Sequence, residues 1–308
     1  MTEVLAISME REDTMKVSVI IPTKNRPEDL RRTLQSIATQ TRRPDEIIVV
    51  DQSSSSSELD KSDLPVTITY IHDASISGLT EARNVAMDRA IGDIWLFLDD
   101  DVILEPQYLD ELVRVYSPEV DGVSGIITNY TLPSVSRRLF ERVFMTGSFY
   151  DDRQSVYWAA EKLRSHCPQR VRQFTGAVMS FRAAAVGTLR FDGNLKGGCL
   201  AEDIDFCARL RAGAVLLIAP KARLFHKRSD IGRPTTHWLD AHAQSSTYMR
   251  LRNWHRGWKD DFCFAWLQIG YALMASIGSI KRRSLEPFRA WAHGVARGRH
   301  FAGANVAL

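Results

Sequence analysis

Short β-branched runs alternate with one-faced apolar stretches through the N-terminal part of the chain. Val17-Ser18-Val19-Ile20-Ile21-Pro22 is the first, and a run of this length closed by proline has the pattern of a buried parallel strand. Thr23-Lys24-Asn25-Arg26 reads as a polar loop. Pro27 with the acids Glu28 and Asp29 suits a first helical turn, because the ring presets φ and the carboxylates face the positive end of the helix dipole. Leu30, Leu34, Ile37 and Ala38 fall on one face of that helix, which stops before Pro44. Glu46-Ile47-Ile48-Val49-Val50-Asp51 is a second strand and completes a β-α-β unit. The run 66–71 alternates as a third, edge strand, Gly78 precedes a helix over 79–90, and 94–98 forms the next strand. A helix after Pro106 carries Leu109, Leu112, Val113 and Tyr116, and a strand covers 122–128. This β-α-β-β-α-β-α-β order predicts an α/β fold with a mainly parallel sheet in a three-layer sandwich.

Between 129 and 172 the periodicity is lost, and Phe149, Tyr150, Tyr157 and Trp158 mix with Arg and Asp. An insertion of this kind in a compact domain is either a functional segment or a disordered one. A small-and-apolar pattern resumes over 174–181. A turn-rich stretch with Asp192-Gly193-Asn194 and Gly197-Gly198 then leads to Glu202-Asp203, beyond which Ile204, Phe206, Cys207 and Leu210 continue as a helix that Gly213 ends. Residues 215–219 form one more strand, and His226 falls in a basic loop after it. The five consecutive serines after Gln52 read as a solvated, mobile loop.

Residues 262–280 contain no charge, a length at the lower limit for a membrane span. Phe262, Trp266, Ile269, Leu273, Ile277 and Ile280 make an apolar face, and Gln268, Ala272, Ser276 and Ser279 a small and polar one. Arg250, Arg252, Arg256 and Lys259 stand before this stretch and Lys281-Arg282-Arg283 after it. Bases on both sides favour a helix lying in the interface of an anionic leaflet. An ordinary buried helix and a span remain the alternatives.

The run Trp95-Leu96-Phe97-Leu98-Asp99-Asp100-Asp101 carries the chemistry. An unpaired ionised carboxylate in a core is strongly unfavourable, so the three acids belong at the strand's mouth. In an open α/β sheet the crevice beyond the carboxyl ends of the strands binds ligands, and clustered carboxylates there suit a hard divalent cation holding a diphosphate. The net charge of +3 is too small to imply a nucleic-acid partner. The four cysteines show no C-x-x-C pair and no histidine partner at zinc spacing, which speaks against a disulfide framework or zinc cluster and fits a reducing cytoplasm. Residues 1–16 lack the long apolar core of a signal peptide.

Pro22-Thr23-Lys24-Asn25-Arg26, Val49-Val50-Asp51, Gly78-Leu79-Thr80-Glu81-Ala82-Arg83-Asn84, Leu98-Asp99-Asp100-Asp101 and Glu202-Asp203 with Arg209 follow one another in this order. The set resembles the family-two glycosyltransferases over residues 16–230. A lone D-x-D is a weak signal, whereas five pieces in order are a strong one. The resemblance implies the GT-A nucleotide-sugar fold, Mg or Mn as cofactor, and inverting transfer of one sugar. The donor is a nucleoside-diphosphate sugar, UDP- or dTDP-linked, and the acceptor a hydroxyl of a glycan or polyprenyl-linked molecule. By the same resemblance Pro22, Thr23, Asn25 and Asp51 hold the base, Arg83 reaches the base or diphosphate, and Asp99 accepts from the ribose. Asp101 and His226 ligate the metal, with Asp100 also in the nucleotide site. Gly197 and Gly198 let the backbone approach the donor sugar. Asp203 is the general base and Glu202 orients the acceptor.

Each assignment has a plainer counterpart in the residues alone. Asp51 also suits a turn or helix cap, Arg83 a solvated helix face, His226 a structural or surface role, and Glu202 with Asp203 the capping of the next helix. The serine run replaces the family's usual polar turn after Asp51. The C-terminal part lacks the Q-x-x-R-W signature of processive synthases, so one sugar per encounter is expected.

The expected organisation is a frayed leader over 1–15, a catalytic domain over 16–230 and a helical extension over 231–308. The catalytic domain divides into a nucleotide-binding half to about 128 and an acceptor half from 129. The expected place is the cytoplasm, peripheral on the inner face of the cell membrane, with its anionic surface as a partner. A sugar-nucleotide nucleotidyltransferase is a rival reading, although such enzymes carry a Gly-rich phosphate loop where this chain has Pro22-Thr23-Lys24-Asn25-Arg26. A non-catalytic membrane adaptor on a degenerate fold is another, against which the intact acids argue.

Overall fold

The computed structural model describes residues 15–56, 66–131, 133–153, 156, 157, 159, 165–195, 201–229, 238–252 and 257–304. The chain divides into two compact units. The first comprises Met1–Thr131, Asp152–Phe191 and Leu210–Gly232, and the second Leu132–Asp151, Asp192–Arg209 and Arg233–Leu308.

The first unit is built on one sheet. Its strands are β1 (Val17–Thr23), β2 (Glu46–Asp51), β3 (Thr67–His72), β4 (Ile94–Leu98), β5 (Val102–Leu104), β6 (Gly122–Ile127), β7 (Gln169–Val171), β8 (Val178–Arg182) and β9 (Leu216–His226). They lie in the order β3-β2-β1-β4-β8-β6-β9-β5, with β7 also on β9. The β3-β2-β1-β4 half is wholly parallel. The other half is mixed: β8 runs antiparallel to β4 and β6, β9 parallel to β6, and β5 and β7 antiparallel to β9. Every residue of β1, β2 and β4 is buried, as continuous β-branched and leucine runs require when both faces are covered. The α/β architecture expected from the sequence is thus present.

Helix α1 (Pro27–Ala38) starts on its proline and turns Leu30, Leu34 and Ile37 into the core. Helices α2 (Leu79–Met87), α3 (Tyr108–Val113) and the short α5 (Ala183–Val186) also belong to this unit. β9 is longer than the strand expected over 215–219: it continues through Pro220, and His226 is its last residue rather than a loop residue.

The second unit is helical: α4 (Val135–Phe144), α6 (Glu202–Arg209), α7 (Trp238–Arg252), α8 (Trp258–Arg282) and α9 (Glu286–Ala304). α4 lies where sequence periodicity had faded, capped by Ser134, whose hydroxyl accepts from Arg137 N. Phe149, Leu239, Met249, Leu267, Tyr271 and Ala275 form the core. α9 approaches α7 through Gly294 and Gly298. A Cβ at 298 would stand 2.6 Å from Gln244 O, and one at 294 would collide with Asp240 O.

Gly294→Leu forces these two helices apart, an overpacking that lowers the thermal midpoint by roughly 3–8 °C. Gly303→Ala, at a site with nothing within 4 Å, is neutral or mildly stabilising, since alanine favours a helix. Thermal unfolding followed by circular dichroism checks the pair.

Candidate active site

β4 is wholly buried and ends at Leu98, after which Asp99, Asp100 and Asp101 form the turn into β5. Thr33 of α1 pins this turn, its Oγ1 lying 2.8 Å from the carbonyl oxygens of both Asp100 and Val102. The three carboxylates then diverge. Asp100 turns toward β1, accepting from Thr23 Oγ1 at 2.7 Å and from Arg26 Nη1 at 3.1 Å. Asp101 Oδ2 accepts from Ser229 N at 2.7 Å, while its buried Oδ1 stands 3.0 Å from His226 Nε2. The partly exposed Asp99 has Oδ1 3.6 Å from Arg83 Nη2 and Oδ2 3.8 Å from His226 Nε2.

The register of the sheet delivers the histidine. β5 and β9 pair antiparallel with Val102 opposite His226, so the ring lands beside the acidic turn. Asn129 fixes the strand end, donating to His226 O at 2.7 Å and accepting from His226 N at 3.0 Å. A carboxylate oxygen and a ring nitrogen from Asp99, Asp101 and His226 come within 4.8 Å of one another. That spread is comparable to twice a metal–oxygen bond of about 2.1 Å.

Burial sets the charge state of the acids. Desolvation pushes Asp100 from its ordinary 3.8 up to about 6, against the Thr23 hydrogen bond and the Arg26 charge. Asp99 is also raised by burial, opposed by Arg83 and His226. Asp101 is buried too, yet the hydrogen bond and charge of His226, with Ser229 N–H, hold it below the usual carboxylate range. The donor set suits a divalent cation: Asp101 Oδ1 and His226 Nε2 face each other at 3.0 Å, and Asp99 Oδ2 lies 3.8 Å from the same nitrogen, so carboxylate and imidazole donors converge on one point.

The remaining expected site residues fall into three groups. Pro22 and Thr23 end the buried β1, and Asn25 follows in the left-handed region at φ 58°, its N–H donating to Ser53 Oγ at 2.7 Å. Asp51 and Arg83 are buried deeper than their expected contact with nucleotide requires. Asp51 is fully covered, its oxygens accepting from Tyr70 Oη at 2.5 Å and Ser53 N at 2.8 Å. Arg83 lies on the inward face of α2, donates to Gly176 O at 2.8 Å and sits over the Phe191 ring at 5.2 Å. It faces Asp99 from behind.

Glu202 and Asp203 open α6 in the second unit, where Asp203 Oδ1 accepts from Ile204 N and the buried Asp205 pairs with Arg209 at 2.8 Å. Gly197 and Gly198, expected at the donor sugar, lie outside the described residues. Ser53 departs from the mobile loop expected for the serine run. It is buried, while the next three serines are exposed. Arg26, at the end of the first motif piece, received no role of its own from the sequence, and Tyr70, Asn129 and Ser229 are site partners with no local sequence signal.

The family model described as glycosyl transferase family 2 matches residues 18–185, which includes the acidic turn and the loop after β1. The chain belongs to glycosyl transferase family 2. It is similar to the succinoglycan biosynthesis protein ExoM of Rhizobium meliloti, 26% identical over 237 residues covering 74% of this chain and 71% of ExoM. For the first three curated relatives the match spans only 34%, 58% and 9% of the relative's own length. Among solved structures, S. aureus TarS 1–349 in complex with UDP-GlcNAc has a TM-score of 0.60 at 16% identity, covering 94% of this chain and 82% of that one. The mannosyltransferase PcManGT of Pyrobaculum calidifontis, in complex with GDP-Man and Mn2+, has a TM-score of 0.52 at 16% identity, covering 98% and 93%. These likenesses establish the GT-A fold of this glycosyltransferase.

Two outcomes are expected. Asp101→Ala keeps the chain folded but abolishes Mn-dependent binding of a nucleoside diphosphate in calorimetry, and unchanged affinity would refute the metal assignment. Asp100 binds its proton more tightly when folded, so its contribution favours folding at low pH and is lost as pH rises through about 6. Metal-free Asp100→Asn is therefore more stable than the parent by about 1–3 kcal/mol at pH 7–8. Urea unfolding across pH should show the gap closing toward pH 4.

Proposed function

We propose that this glycosyltransferase moves one sugar, with inversion, from a UDP- or dTDP-linked donor to a hydroxyl of a glycan or polyprenyl-linked acceptor at the cytoplasmic face of the membrane. The observation that carries this reading is the meeting of Asp99, Asp101 and His226 at the end of β4 in a family-2 fold. Those three residues would hold Mg or Mn. When bound, the cation neutralises charge on the departing nucleoside diphosphate.

The chain's own groups divide the remaining tasks. Asp100 ties the β1 loop to the acidic turn through Thr23 and Arg26, which keeps Asn25 beside the nucleoside. Asp51 acts on the base through the edge that it orders, Ser53 and Tyr70, because its own oxygens are engaged. Arg83 holds Asp99 in place from the core side. Asp203 takes the proton of the acceptor hydroxyl as it attacks the anomeric carbon, and Glu202 orients the acceptor. Gly197 and Gly198 border the donor sugar in this reading.

Asp203→Asn tests the assignment of the base. The amide keeps the shape of the side chain and takes no proton, so donor affinity stays and turnover falls by about 10²–10⁴. Equal losses in donor binding and turnover would move Asp203 into the nucleotide site.

A further inference from the structure

We propose that the helical unit docks on an anionic bilayer through the adjoining apolar faces of α4 and α8, both lying in the plane of the interface. This deepens the functional reading, on whose membrane-linked acceptor it rests for its purpose, and it stands on separate residues.

Eighteen large hydrophobic side chains are exposed among the described residues, and fifteen of them belong to the helical unit. The largest set runs along α8: Phe262, Ile269, Leu273, Ile277 and Ile280 are between 44% and 78% exposed. The opposite side of α8 is the hydrogen-bonding one. Gln268 Nε2 donates to Ser246 Oγ on α7, and Gln268 Oε1 accepts from Trp291 Nε1 on α9. That inward side also carries Leu267, Tyr271 and Ala275 of the core, so α8 is apolar on both sides, and the outward one is a contiguous apolar face left for an apolar surrounding.

α4 extends this surface. Phe140 and Phe144 pack inward on Tyr271 and Trp266 of α8, leaving Val135, Leu139 and Val143 exposed as a second stripe. The Trp266 indole donates to Val143 O at 2.8 Å, so the two stripes meet there. Bases border them: Arg138 and Arg142 on α4, Lys259 before the α8 stripe and Lys281-Arg282-Arg283 after it, all exposed. Between Phe262 and Ile280 there is no charge.

The partner follows from this pattern. An uncharged strip about 27 Å long, with Lys281-Arg282-Arg283 at one end, Lys259 beside the acids Asp260 and Asp261 at the other and Arg138 and Arg142 along α4, has a predominantly basic rim that matches acyl chains flanked by anionic headgroups. A second copy of the chain would present the same predominantly basic rim. α8 is long and apolar enough to cross a membrane, but its interior argues against a crossing: Leu267, Gly270, Tyr271 and Ala275 are buried against neighbours that also bury Asp240, Gln244 and Arg250. Those polar groups would enter the hydrocarbon with α8.

Flotation of the purified 308-residue chain tests this, with vesicles of phosphatidylcholine alone or with about one-third phosphatidylglycerol. The parent chain floats with the anionic vesicles and is released by alkaline carbonate. Leu273→Glu with Ile277→Glu loses flotation, and Leu139→Glu weakens it roughly tenfold, while circular dichroism and Mn-dependent nucleoside-diphosphate binding stay unchanged. Failure of the parent to float, or a stable dimer that the α8 variant breaks, would overturn the proposal. So would resistance to carbonate extraction, and unchanged flotation of Leu139→Glu would remove α4 from the surface. A chain that floats yet binds no nucleoside diphosphate would support docking and overturn the functional reading instead.

Discussion

Three adjacent carboxylates at one strand end are the constraint that the sheet unit is arranged to meet. Left together in a partly buried turn, they would raise one another's pKa and lose charge. The chain instead gives each a different partner from a different element. Asp100 goes to Thr23 and Arg26 after β1, Asp101 to Ser229 N and His226 after and at the end of β9, and Asp99 to Arg83 on α2. The acids therefore fix how three elements meet the mouth of β4. Of the three, Asp99 and Asp101 converge on His226, an arrangement that could hold a cation by two acids and an imidazole, while the third acid is spent on order.

Much of this was readable in the sequence, for a physical reason. β1, β2 and β4 are continuous apolar runs because both faces are covered, and their local pattern survives without context. The acids at the strand mouth follow from the same rule. What local pattern does not carry is the identity of a partner far along the chain. Arg83 was expected to reach the base or diphosphate, with a solvated helix face as the plainer alternative, yet it is buried and donates to the carbonyl of Gly176, and Asn84 beside it clamps the backbone of Phe191. Asp51 looked available to a ligand, yet Tyr70 on the neighbouring strand occupies it. His226 reached the metal set only through a β5–β9 register that no local run specifies. α4 was missed although its pattern is amphipathic, with Val135, Leu139, Phe140, Val143 and Phe144 on one side and Arg137, Arg138 and Arg142 on the other, because the stretch around it mixes aromatic and charged residues without a period.

The helical unit shows why an apolar stripe can be held outward. α7 buries Asp240, Gln244, Ser246 and Arg250, and such groups need partners in the interior. Gln268 on α8 serves Ser246 and Trp291, and Arg250 is paired with Asp261 at the start of α8. Gly270 adds a steric reason, since a Cβ there would collide with the Phe144 ring. Turning α8 by half a revolution would bury Ile269 and Leu273. It would also break the hydrogen bonds of Gln268 to Ser246 and Trp291 and expose Leu267 and Tyr271. Burial of one apolar side would thus replace another, with the hydrogen bonds lost and nothing gained. The stripe on α8 is fixed outward by what lies behind it.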